Sequence, residues 1–207
     1  MHRRRRVTPL PAAIELPGGV FVNPIQHQLV PAPGVAAGLG FYLAGMDEVH
    51  HQLFWAVRAM SDHDIGRLAL PGAHSVGALV LHIGEAEWWW MQCVIGGHQL
   101  NDQDCQAVFW DVLEAPETFA GRGYSAAFCL SEVEKIRRQT RERLAAFSDR
   151  DLERTFAQER NGKPHEYSLR WILHHLIDHE AQHKGQILML KRMMGLANPD
   201  PLGAMES

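Results

Sequence analysis

Cysteine is scarce in this chain of 207 residues: Cys93, Cys105 and Cys129 are the only three, and no two of them form a C-x-x-C pair. An odd number at such spacing argues against a disulfide framework, and it suits a reducing cytoplasm. Long apolar runs are missing too. After Arg3–Arg6, residues 7–20 are interrupted by Pro9, Pro11, Glu15 and Pro17, a poor signal peptide, and no later stretch has the length a membrane span needs. There is no excess of positive charge, since the formal net charge is -4, so nucleic acid is not an expected partner. The arginine cluster at the start reads as a solvated tail. Strand patterns are nearly absent, and no internal repeat suggests a solenoid.

Helical periodicity is abundant. Residues 1–38 hold six prolines and no sustained helical period, and we expect an extension packed on the domain surface or partly disordered. From Gly40, Leu43, Met46, Val49, Leu53, Val57 and Met60 recur at steps of three and four, the mark of one helical face. Ser75 is a suitable N-cap for a second helix, whose stripe is Leu79, His82, Ile83, Ala86, Trp90, Cys93 and Val94, ending at Gly96-Gly97. Residues 98–124 are mixed, with one short helix expected near Ala107–Leu113. A third helix spans about Ser125 to Phe147, with Cys129, Val133, Ile136, Thr140 and Leu144 inward. Asn161-Gly162 then predicts a hairpin turn. Ser168 caps a long fourth helix ending at Gly195, with Ile172, His175, Leu176, His179, His183, Gln186, Ile187 and Leu190 on one face. Four amphipathic segments and a small hairpin mean an all-α four-helix bundle over residues 39–197, with a tail at 198–207.

Histidine is over-supplied. Of 13, four fall between His174 and His183. Residues four apart on a helix lie about 5–6 Å apart at Cβ, so both imidazoles reach a common ion at roughly 2.0–2.1 Å. His179 and His183 have this spacing, and so do His175 and His179. All three on one ion is excluded, because eight residues amount to about 12 Å of rise. The third ligand must come from another helix, and His82 is the histidine in the second stripe. Three imidazoles leave a position open for water or substrate, the mark of a reactive rather than a structural site. Taken singly, each of these histidines also fits a hydrogen-bonded core residue.

His179-Glu180-Ala181-Gln182-His183 spells H-E-x-x-H, the metalloprotease signature. The rest of that chemistry is missing: no histidine follows His183, and the acidic residues beyond it, Asp200 and Glu206, lie past Gly195. Glu180 is one position off the shared face, so a surface position or an orienting role is expected, not a catalytic base. Glu85 and Asp178 are candidates to orient a ligand histidine. Of Trp88-Trp89-Trp90, Trp90 fits the core, leaving the other two for the pocket mouth or a subunit interface. Cys93 is three turns from His82 and reads as a small core residue. Gly185 inside the fourth helix suggests a close helix–helix approach.

The run from Ser75 to Glu87, and the run from Leu169 through His179-Glu180-Ala181-Gln182-His183-Lys184-Gly185-Gln186, resemble the second and last helices of the DinB/YfiT-like family. The resemblance covers roughly residues 40–196. It implies a metal-binding bundle, often a homodimer, whose ligands are His82, His179 and His183; three imidazoles accept zinc, nickel or iron. It also implies an enzyme acting on a small molecule, either an S-transferase using a low-molecular-weight thiol or a metal-dependent hydrolase. A non-catalytic, metal-stabilised ligand-binding or dimerisation module is the alternative.

Overall fold

The computed structural model describes residues 14–22, 28–114, 119 and 122–198. Among them, five α-helices carry the fold: α1 (Ala37–Val57), the short α2 (Asp62–Gly66), α3 (Val76–Trp88), α4 (Ala126–Leu144) and α5 (Leu169–Met193). Three of the four long helices start as their sequence predicts. Ser75, Ser125 and Ser168 each accept the backbone N–H three residues on, at 3.2, 3.1 and 3.2 Å, which satisfies one otherwise orphan donor per helix. No helix among the described residues is long and apolar enough to cross a membrane.

α3 packs between α4 and α5, and α5 packs between α3 and α1, which also touches α4. Consecutive long helices α1 and α3 therefore sit across a diagonal, as do α4 and α5. The second crossing takes up a 3₁₀ turn, Asp149–Glu153, and the hairpin β3 (Thr155–Arg160) and β4 (Lys163–Ser168). Arg160 pairs with Lys163, and the two-residue turn holds Asn161 at φ 54° and Gly162 at φ 70°, the left-handed geometry that Asn-Gly supplies at low cost. The diagonal connectivity makes the histidine-bearing helices α3 and α5 neighbours, although nearly a hundred residues separate them in sequence.

The core is divided into two apolar halves. One gathers Leu53, Val57, Leu79, Ile83, Val133 and Ile187, the other Leu43, Met46, Trp90, Leu144, Ile172 and Leu173. Between these levels, every long helix contributes a polar side chain. Arg137 of α4 donates from Nε and Nη2 to Glu87 of α3 at 2.9 and 2.8 Å, and from Nη2 to Glu180 of α5 at 2.9 Å. His50 of α1 meets the other Glu180 oxygen at 2.9 Å. Each of these side chains is buried. Burial pushes Glu180 up, but Arg137 and His50 outweigh it and hold the carboxyl below its ordinary value.

Three local expectations are corrected here. Residues 14–22, read only as part of an extension, form a hairpin, β1 (Ile14–Leu16) and β2 (Val20–Val22), around Gly18 and Gly19 at φ 103° and 76°. Strands of three residues are too short to show a period. Ala107–Leu113 is a run of turns, and the short helix lies earlier as a 3₁₀ turn at Asp104–Gln106. Gly185 is exposed, and a Cβ there would meet nothing within 4 Å, so no close helix approach requires it.

Candidate metal centre

α3 and α5 bring His82, His179 and His183 to one point. Their ring centroids are 5.1 Å (82–179), 4.9 Å (82–183) and 4.4 Å (179–183) apart. One ring nitrogen from each lies within 4.8 Å of the other two, and all three residues are half-buried. His175 does not join them. Its ring stacks on Trp171 at 4.9 Å and 10°, meets the edge of Trp90 at 5.5 Å, and forms part of the cavity wall. Of the two i,i+4 pairs left open by spacing, His179 and His183 are the one beside His82, which faces the turn between them.

Two of the three rings are oriented from behind. His82 Nδ1 is 3.0 Å from Glu85 Oε2, and His183 Nδ1 is 2.9 Å from Gln186 Oε1. A carboxylate or amide oxygen accepts, so Nδ1 carries the proton in both and Nε2 presents its lone pair. Glu85 thus takes the orienting role expected of it, whereas Asp178 instead accepts a hydrogen bond from Gln182 at 2.6 Å. Gln186 had a place on the core face but no assigned role. The signal was its i,i+3 relation to His183, which repeats that of Glu85 to His82.

His179 Nε2 lies 3.1 Å from His183 Nε2. Two imidazole lone pairs directed at one another need a proton or a cation between them, and ligand nitrogens on a tetrahedral ion are roughly 3.3 Å apart. Burial, reinforced by His183, His82 and His175, pushes His179 down to about 3. Burial also lowers His183, against the opposing bond to Gln186. Both are therefore neutral bases near pH 7, the protonation state a metal ligand requires. The donor set fits a divalent ion.

Glu180, inside the H-E-x-x-H run, is turned away from the three rings and 2% exposed in the Arg137 network. The expectation of a surface position is wrong. It anchors α5 to α1 and α4, so the glutamate of the H-E-x-x-H run is not placed as a general base at the three rings.

Beside the histidines opens a cavity of about 630 Å³. His82 and His179 lie in its wall, together with Trp89, Trp90, Trp110 and Tyr167. The helix widens here: Trp89–Ile95 continue α3 as a π-helix, a local expansion found often at functional sites. It turns Trp89 and Trp90 toward the cavity, while Trp88 packs on Phe109 and Trp110 at 5.8 and 6.2 Å. Cys93 is partly buried away from the cluster, and all three cysteines are free.

Residues 43–194 match the mycothiol-S-transferase family. The chain belongs to that family. A crystal structure of a DinB-like protein from Bacillus cereus ATCC 10987 is similar, with 19% identity and a TM-score of 0.56, covering 77% of this chain and 95% of the other. At that identity the likeness concerns the fold, which is DinB-like. No curated protein matches the chain. The three histidines sit inside the matched span.

Proposed function

We propose that the protein is a metal-dependent S-transferase that joins a low-molecular-weight thiol of the mycothiol type to a small electrophile. The convergence of three imidazoles beside an aromatic cavity carries this reading. His82, His179 and His183 hold one divalent ion, with zinc, nickel and iron all suited to imidazole donors. Such an ion lowers the pKa of a thiol or water in its open position. Glu85 and Gln186 fix the tautomers of their histidines, and the Trp89, Trp90, Trp110 and Tyr167 rings shield the reacting groups from bulk water. In the transfer, the thiol releases its proton to solvent, its sulfur bonds the electrophilic carbon, and the bond from that carbon to the displaced group breaks, the group departing with the electron pair.

The test is conjugation of mycothiol and simpler thiols with a panel of small electrophiles, with and without a chelator. We expect turnover that disappears with chelator and in His183→Ala. Turnover of the electrophile by water alone, without thiol, would assign a hydrolase instead. Metal binding with no turnover in any pair would leave only a metal-stabilised binding module. We place the activity in the cytoplasm, where free cysteines stay reduced, and in a homodimer, as the resemblance implies; a sedimentation-equilibrium mass of one chain contradicts the latter.

A further inference from the structure

Glu85 has two partners, and they belong to different parts of the site. Its Oε2 meets His82 Nδ1 at 3.0 Å, and its Oε1 accepts the backbone N–H of Asp111 at 2.9 Å. Asp111 lies in the run of turns at 107–114, which is pinned to the core by buried Phe109 and Val112. From this segment Trp110, Asp111, Leu113 and Glu114 line the same cavity as His82. Asp111 holds φ 49°, a left-handed conformation that is uncommon for a residue with a side chain. Glu85 Oε1 is the side-chain acceptor that ties this residue's backbone to a helix.

We propose that Glu85 is a positioning residue coupling occupancy of the three-histidine site to the fixation of the cavity wall at 107–114. The inference rests on the metal-binding reading above. A cation on His82 Nε2 withdraws electron density from the ring, makes Nδ1–H a stronger donor and locks that tautomer. The stronger bond holds Glu85 in the one rotamer that also places Oε1 on the Asp111 amide. The wall is then most rigid when the site is filled, and by reciprocity a fixed wall favours the ion. A carboxylate can do this because each oxygen accepts one N–H. A glutamine cannot, because its NH₂ must face either the Asp111 amide or His82 Nδ1–H, and one of the two bonds is lost.

Hydrogen exchange at the Asp111 amide, read with and without zinc, tests the coupling in three forms of the full chain. In the wild type, zinc should slow exchange about tenfold. Gln186→Ala, which loosens His183 but touches no wall residue, should bind zinc about tenfold more weakly. At saturating zinc it should still show the slowing. Glu85→Gln should bind zinc ten- to a hundredfold more weakly, on the order known for such orienting partners, and show no slowing when saturated. Zinc bound to the wild type without change at Asp111, or slowing that persists in Glu85→Gln, overturns the coupling alone. A wild type that binds no zinc overturns the metal reading on which it rests.

Discussion

His82 and His183 each donate a hydrogen bond from Nδ1 to a side chain three residues further along their helix, Glu85 and Gln186, and so keep the lone pair of the opposite nitrogen free. His179 has no such partner among the described residues, and burial is what keeps it neutral, near pKa 3 against an ordinary 6.5. That difference has a measurable sign. Between about pH 6.5 and 3 the unfolded chain takes up a proton at His179 that the folded chain refuses. The stability carried by neutral His179 is therefore complete above pH 6.5 and declines as pH falls through that window. Urea midpoints of the metal-free protein should drop from pH 7.5 to 5.5, where carboxylates are still ionised, and drop less in His179→Gln. Equal slopes for both proteins would show that the ring is not desolvated as described. At this scale the sequence was informative about which residues matter and ambiguous about how they pair. His175 and His183 stand at the same distance along the helix from His179, and only the path of α3, with Trp90 against His175, separates them.

The elements were the most legible part. Steps of three and four, serine caps and Asn161-Gly162 are local signals with local causes, and they placed the long helices and the β3–β4 hairpin. What stayed hidden depends on neighbours distant in sequence. Glu180 lies one residue off the stripe yet is buried, because α5 meets α1 on one side and Arg137 of α4 in the middle. Removing one member of such a buried charge group leaves its partners unpaired. Arg137→Met should cost about 3–5 kcal/mol of unfolding free energy by urea titration, and combining it with Glu87→Leu and Glu180→Leu should recover part of that loss. A cost under about 1 kcal/mol would mean the network is solvated. Gly185 makes the opposite prediction. With open space around its Cβ position, Gly185→Ala should raise stability by about 0.4–1 kcal/mol. Destabilisation would reveal a contact made by another subunit.

At the scale of the whole molecule, diagonal crossings between consecutive helices put α3 beside α5, and that adjacency creates the site. Two apolar clusters hold the ends of the bundle, and the Arg137 layer aligns the helices between them. The cavity is closed partly by the loop at 107–114 and partly by β3, elements whose position no local pattern could reveal. The central claim is that these distant segments form one coordination sphere. X-ray absorption spectroscopy on the zinc-loaded protein addresses it most directly. The account predicts three imidazole nitrogens at about 2.0–2.1 Å plus one light atom, with a sulfur neighbour at about 2.3 Å replacing that atom when thiol is added. A protein that retains no zinc, or a shell without three imidazoles, would contradict it.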